Sequence, residues 1–526
     1  MSMTEQQRYN KLSAELLEDT PLHAGELLRR AARLWPNRIA LICQDQSITY
    51  GQLHDRSCLM AEKLKIVGVL PNDHVLIYYE NSIDFFIAYW GAWQAGAVVA
   101  PLNIFLHETE LLGIINDAKP RVIIVSDKLK PKLDELPEEQ LPLVLSTHDI
   151  ENTNNFVGPI PHNPIPARGL DDLAALLYTS GTTGFPKGVM LSSRNIIVNA
   201  IQGISRFQAG PDDRVYCALP LFHSFPQNVC IWASCIIGSS SILIPKVERS
   251  MLLEAFKHKP TVIIAVPALY GLFCLMKTIP FGPIRYFFAG GDALSDKIRS
   301  YFALIYRRKI CNGYGLTESS PFIAVDLDDY TQPTNTVGRP FYRIRYAVRD
   351  GDEQLPDGSV GVLWITGDNI MLGYYNAPDA TRAVLKDGWL NTGDLAYINP
   401  QGKIVISGRQ RDLIINKGVK IYPQEVENIL LSNDQVTQAA VIGITPRNTA
   451  KNTALNTESE EEVPVAFIGS RTANKEDLIA ELKELCLRNL AAYKVPREFI
   501  IQRELPITST GKTDKKKLKA EYSKPV

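Results

Sequence analysis

The sequence predicts an α/β fold: a large N-terminal domain of mostly parallel, helix-covered sheets with a β-rich subdomain, then a small α+β C-terminal domain. Three observations predict it. Strand-like apolar runs alternate with helical patterns through the first part of the chain, the signature of a parallel sheet covered on both faces. From about residue 337 the texture changes to short strands broken by turns. With 526 residues the chain is too long for one compact core and fits roughly three or four structural units.

In chain order, helical patterns fall at 25–34, 52–64 and 83–95, and strand runs at 74–79, 121–126, 174–178, 241–245, 261–266, 284–288 and 309–311. The stretch 215–245 carries no Asp, Glu, Lys or Arg. Pro220, Pro226 and the break Gly238-Ser239-Ser240-Ser241 leave its apolar helix short of the ~20 residues a bilayer requires. A buried helix followed by a strand is expected there. The turns Arg349-Asp350-Gly351-Asp352 and Leu355-Pro356-Asp357-Gly358 mark the β-rich subdomain, placed at 337–409 within an N-terminal domain of 1–409. Residues 410–526 form the small C-terminal domain, whose first helix starts at Pro423 and runs to Leu431. The polar stretch 445–462 reads as a surface loop.

Composition excludes several classes. Lys and Arg number 56 against 57 Asp and Glu, so no overall charge draws the chain to nucleic acid. The N-terminus lacks the apolar core of a secretory signal. Eight cysteines are scattered without a C-x-x-C pair or a histidine spacing that predicts zinc, and read as reduced core residues of a cytoplasmic protein.

The chemistry lies in loops after strands, where ligands of such sheets bind. Tyr178-Thr179-Ser180-Gly181-Thr182-Thr183-Gly184-Phe185-Pro186-Lys187-Gly188 joins hydroxyls, glycines and one lysine after an apolar run. Glycines let the backbone turn its N–H groups toward an anion, so the loop suits phosphate. It is not a Walker A loop, because no Gly-Lys-Ser/Thr follows at the required spacing. In Asn312-Gly313-Tyr314-Gly315-Leu316-Thr317-Glu318, Tyr314 suits stacking on a purine, Thr317 a phosphate contact and Glu318 the binding of Mg²⁺, which prefers oxygen ligands. Gly290, Gly291 and Asp292 end another strand, where bare backbone admits a flat ring. Asp394, after a turn, suits two ribose hydroxyls, and Arg409 supplies a guanidinium fifteen residues later. Lys512 stands on a short turn, Ser509-Thr510-Gly511-Lys512.

Taken in order, these motifs resemble the ANL superfamily of adenylate-forming enzymes, which includes acyl-CoA synthetases, the adenylation domains of peptide synthetases and beetle luciferases. The resemblance extends over nearly the whole chain and includes Leu219-Pro220-Leu221-Phe222-His223 and the run from Pro506 to Lys512. It implies an acid–thiol ligase in which ATP and a carboxylic acid give acyl-AMP and pyrophosphate, after which a mobile C-terminal domain turns so that a thiol attacks. By that resemblance Thr179, Ser180, Gly181, Thr182, Thr183, Gly184 and Lys187 hold the β- and γ-phosphates, and Tyr314 lies on adenine. Thr317 meets the α-phosphate and Glu318 binds Mg²⁺. Asp394 and Arg409 hold the ribose, while Gly291, Asp292, Ala293, Asn312, Gly313, Gly315 and Ile406 complete the nucleotide site. Lys512 reaches the reacting carboxylate and α-phosphate, and Arg411 occupies the hinge position.

His223 stands in the family's aromatic gate, and the acyl pocket is expected to be lined by Val229, Trp232, Ala233, Gly290 and Gly315. No ionic group is evident there, which favours a medium- or long-chain fatty acid with CoA as the acceptor. Ile415, where the family often has lysine, points the same way. An aryl acid, a fatty acyl-AMP ligase that loads an acyl carrier protein, and a non-catalytic nucleotide-binding member are the alternatives. Glu461-Glu462-Val463-Pro464-Val465-Ala466 lacks the glycine of the corresponding CoA-ligase segment, and peripheral contact with a bilayer stays open.

Overall fold

Runs of Val, Ile and Leu build two sheets in the computed structural model, which describes residues 3–19, 22–146, 162–179, 186–276, 279–327, 336–416, 419–445, 462–507 and 513–523. The smaller sheet runs, in order, Gly373–Tyr374, Lys187–Ser192, Leu173–Thr179, Val98–Pro101, His74–Tyr78, Val122–Val125 and Leu143–Ser146. Its strands from Leu173–Thr179 onward pair in parallel, whereas Lys187–Ser192 folds back antiparallel on Leu173–Thr179. All four residues of Val122–Val125 are buried, as expected for a strand covered on both faces.

The larger sheet has fifteen strands among the described residues. Ile39–Cys43, Ser240–Leu243, Arg214–Cys217, Val262–Ala265, Tyr286–Ala289 and Ile310–Gly315 form its parallel half. Beyond Ile310–Gly315 the pairing becomes antiparallel through Phe322–Val325, Thr336–Pro340, Ile404–Arg409, Trp389–Ile398, Gly361–Thr366 and Arg345–Asp350. The short strands after 337 are thus hydrogen-bonded onto the parallel sheet, through Thr336 opposite Val405, rather than stacked on it as a separate layer.

The helix Ser193–Phe207 lies over the larger sheet and starts at a reciprocal cap. Ser192 Oγ accepts from Asn195 N–H, and Asn195 Oδ1 accepts from Ser192 N–H, so two donors without helical partners are satisfied. The uncharged stretch winds as Ser224–Pro226, a wider π-type segment Gln227–Ala233, and Ser234–Ile237, followed by the strand Ser240–Leu243. No helix among the described residues is long and apolar enough to cross a membrane.

Near the C-terminal end, Gln438–Ile444, Val463–Gly469 and Glu498–Gln502 form a three-stranded sheet. The helices Pro423–Leu431 and Lys475–Asn489 pack on it around Val426, Leu430, Val441, Ile468 and Leu482, a core of its own. Pro423 sits at the first helical position, where its missing N–H costs nothing. Between its ends, the polar stretch 445–462 lies outside the described residues.

Candidate active site

The strand Ile310–Gly315 carries Asn312, Gly313, Tyr314 and Gly315 within it, where the sequence suggests a turn after a shorter strand. Its last residues pair antiparallel with Phe322–Val325, with a register shift between Tyr314 and Gly315. Two glycines there are required by close approach. A Cβ on Gly313 would lie 2.0 Å from the Phe288 ring, and one on Gly315 2.0 Å from the Pro321 carbonyl oxygen. Asn312 is buried and donates to Thr336 O at 3.1 Å, so it ties two strands together.

Asp394 also lies inside a strand, Trp389–Ile398, opposite Arg409 of Ile404–Arg409. Cross-strand pairing, which spacing along the chain cannot reveal, makes this pair. Asp394 Oδ1 lies 2.7 Å from Arg409 Nε, and Asp394 Oδ2 accepts from the Tyr314 hydroxyl at 2.5 Å. Asp394 is 3% exposed, so this carboxylate draws its charge balance from Arg409 rather than from water. Burial, then the Asp394 carboxylate, hold the Tyr314 phenol well above its ordinary range. Ile406 lies further along the same ladder, opposite Ala396.

A second polar group forms around Tyr374, which the sequence reading did not single out. Its hydroxyl donates to Glu318 Oε1 at 2.7 Å, and its ring lies 5.2 Å from Lys187 Nζ. The strand Gly373–Tyr374 pairs with Lys187–Ser192, Tyr375 N–H donates to Gly188 O, and Met371 N–H donates to Glu318 O. The end of the glycine-rich loop and the Thr317–Ser319 turn are therefore held by one segment, 371–375. Thr179 and Lys187 face each other as paired residues at the ends of their strands. Ser180, Gly181, Thr182, Thr183 and Gly184, between them, lie outside the described residues, as does Lys512. The Gly-Tyr-Tyr-Asn run at 373–376 was the available signal for Tyr374.

His223 begins the short helix Ser224–Pro226, its ring 4.4 Å from that of Phe222. Ser224 Oγ lies 3.4 Å from Thr317 Oγ1, which joins this turn to the Thr317–Ser319 turn. Buried asparagines support both. Asn81 accepts from Leu221 N–H and donates to Leu219 O, while Asn199 accepts from Phe322 N–H and donates to Phe322 O. Gly291, Asp292 and Ala293 follow the strand Tyr286–Ala289 and are exposed, with Asp292 Oδ1 accepting from Ala293 N–H. Arg411 is exposed just past Ile404–Arg409, its Nε 3.6 Å from Asp412 Oδ1.

An apolar cavity of about 50 Å³, within a partly open space of about 540 Å³ that includes solvent, lies between the helix Ser193–Phe207, the 227–237 segment and the larger sheet. Val229 and Ala233 line it with Phe207, Ile264, Phe288 and Phe322. Trp232 does not: fully buried, it donates from Nε1 to Tyr89 Oη at 3.1 Å on the other side of the helix. Helical geometry separates them, since Val229 and Ala233 are one turn apart and Trp232 is not on that face. Gly290 is covered by the Phe225 ring, 3.1 Å from where its Cβ would sit. Phe225, Phe288 and Phe322 pack edge-on or tilted with centroids 5.0–5.8 Å apart, between those glycines and the cavity. At the far end Arg285 donates to both carboxylate oxygens of Asp213, at 2.7 and 2.8 Å.

With this geometry in place, comparison with known proteins places the chain. Residues 28–375 match the model of AMP-binding enzymes, and 425–512 that of the AMP-binding enzyme C-terminal domain. A sulfoacetate–CoA ligase of Cupriavidus necator is 31% identical over 93% of this chain and 96% of its own. A feruloyl-CoA synthase of Amycolatopsis is 30% identical (94% and 98%), and a long-chain-fatty-acid–CoA ligase of Salmonella typhimurium 26% identical (97% and 96%). Among solved structures, ATP-bound MatB from Rhodopseudomonas palustris superposes with a TM-score of 0.85 at 26% identity, covering 95% of this chain and 99% of that one. The o-succinylbenzoate–CoA synthetase MenE of Bacillus subtilis, in complex with ATP and magnesium ion, gives 0.82 at 26% identity, covering 93% and 98%. These relatives are CoA ligases for chemically different acids, so they support an ATP-dependent, AMP-forming acyl-CoA ligase without choosing its acid. The chain belongs to the AMP-binding enzymes, the ANL superfamily of adenylate-forming proteins.

Proposed function

We propose that this ligase activates a medium- or long-chain fatty acid, and the observation that carries the proposal is the apolar cavity beyond Phe225. Its lining offers hydrocarbon along one face of the strands. Val262 and Ile264 project to the same side, and the cavity runs from Arg285 to Phe288, about 10 Å at the usual rise of a strand. The cation on its wall, Arg285, is engaged by Asp213. A second anionic group on the acid, such as the sulfonate that sulfoacetate carries, would have to break that pair at a cost.

In the first half-reaction an oxygen of the acid carboxylate forms a bond to the α-phosphorus of ATP, and pyrophosphate leaves. In the second, a CoA thiol bonds to the acyl carbon, loses its proton, and AMP leaves. Residues 179–188 hold the pyrophosphate side. Tyr314 supports adenine, and Asp394 with Arg409 holds the ribose in an orientation that their shared strand ladder already fixes. Thr317 meets the α-phosphate. Lys512 neutralises the charge that accumulates as the carboxylate attacks, the kind of stabilisation that lowers a barrier most. Glu318 is an oxygen donor of the kind Mg²⁺ prefers and, held by Tyr374 beside Lys187, fits that ion, which supplies charge neutralisation on the phosphates. Rotation about Arg411 exchanges the two half-reactions. Pyrophosphate release measured over straight-chain, aryl and sulfonated acids, with CoA present, tests the reading. The highest kcat/KM is expected with a straight-chain acid of medium or long tail; a preference for sulfoacetate or an aryl acid refutes it.

A further inference from the structure

Away from the nucleotide strands, the helix Tyr50–Ile66 carries His54 and Cys58 one turn apart, on one face. Both are buried, at 7% and 4% exposure. A third residue reaches the same point from the segment that precedes Leu173–Thr179. His162 Nδ1 lies 3.6 Å from Cys58 Sγ, and His54 Nε2 lies 3.6 Å from the same sulfur. The two imidazole rings are parallel within 6°, with centroids 5.2 Å apart, and the ligand atoms of all three residues lie within 4.8 Å of one another.

These separations are those of a metal's coordination sphere. With Zn–S of about 2.3 Å and Zn–N of about 2.0–2.1 Å, tetrahedral angles put sulfur and nitrogen roughly 3.5 Å apart. A carboxylate stands behind the histidines as well: Asp55 Oδ1 is 3.7 Å from His162 Nε2 and 4.0 Å from His54 Nδ1. Carboxylates on the distal nitrogen of a ligating histidine orient the ring and raise its basicity. Of the other charged groups at the cluster, Arg29 and Lys65 oppose a cation, while Glu62 joins Asp55 in favouring one.

We propose that His54, Cys58 and His162 bind a borderline-soft divalent cation, Zn²⁺ foremost, with Asp55 as the outer carboxylate. Binding exchanges the thiol proton of Cys58 for the metal, and the proton passes to solvent. The bound ion would fasten residue 162 to the helix Tyr50–Ile66, and with it the start of the segment that leads through Leu173–Thr179 to the phosphate loop. The linear spacing of the cysteines predicts no zinc, and a ligand 104 positions away is the reason.

Full-length, metal-free protein titrated with Zn²⁺ or Co²⁺ tests this. A single equivalent is expected to bind, and the cobalt form is expected to show thiolate-to-metal charge-transfer absorption. Cys58→Ser should abolish that absorption, whereas Cys274→Ser should leave it. His162→Ala, at a half-exposed side chain, should weaken binding at least tenfold with the melting temperature of the metal-free protein unchanged, and Asp55→Asn by about tenfold. Should Cys58→Ser fail to fold, His162→Ala decides. Absence of stoichiometric binding, or binding unchanged in His162→Ala, would overturn the proposal.

Discussion

The two sides of the candidate active site are built by different physics. On the nucleotide side, Asp394, Arg409 and Tyr314, with Glu318, Tyr374 and Lys187, are polar groups placed by strand register, each with a named partner at a defined distance. On the acid side Phe225, Phe288, Phe322, Val229 and Ala233 have no such partners and act through the space they fill or leave. Directional contacts tolerate few residue types, while a cavity wall accepts many apolar ones of similar volume. On the proposed function, the reaction is written in motifs and the choice of acid in volumes.

Lys512→Ala is the strongest way to break the polar side. Adenylation should fall by about 10²–10³-fold, the loss seen when one preorganised charge stabiliser is removed. Thioester formation from supplied acyl-AMP should persist, and equal loss of both half-reactions would remove Lys512 from its assigned place. Gly313→Ala strikes the boundary between the two sides, because its new Cβ meets Phe288. A destabilisation of about 1–3 kcal/mol is expected in chemical denaturation, and adding Phe288→Leu should recover part of it. An additive double mutant would show that the two positions do not share that space.

Tyr374→Phe removes one hydrogen bond to a carboxylate, of the order of 1.5 kcal/mol, so KM for MgATP should rise roughly tenfold with the preference among acids unchanged. A changed acid preference would mean that the two sides are not separable. The smallest effect is expected from Arg285→Ala. Its side chain is 41% exposed, and Asp213 keeps the Thr261 hydroxyl and Gly210 N–H as donors, so kcat/KM for a medium-chain acid should stay within about threefold.

How much of this was legible follows the same division. The alternation of apolar runs located seven of the parallel strands, with 122–125 and 286–289 within two residues of where the pattern puts them, but missed 39–43, 98–101, 143–146 and 214–217. Asp394 and Arg409 were recognisable as residue types, but their contact needed the antiparallel ladder, because pairing between strands leaves no fixed spacing in the chain. Trp232 was misplaced for a related reason. An uncharged run shows that a helix is buried all round without showing which face meets a cavity. Asn81 and Asn199 went unnoticed because single polar residues in apolar surroundings carry no pattern of their own. The His54, Cys58 and His162 cluster combines both difficulties.

The central claim, that the cavity chooses the acid while the strand-held polar groups choose ATP, is tested most directly by Val229→Phe. AMP formation with CoA, measured across straight-chain acids for the native and substituted proteins, should show the optimum moving to shorter tails, with KM for ATP changed less than about twofold. An unchanged chain-length profile, or a large shift in KM for ATP with it, would contradict the account.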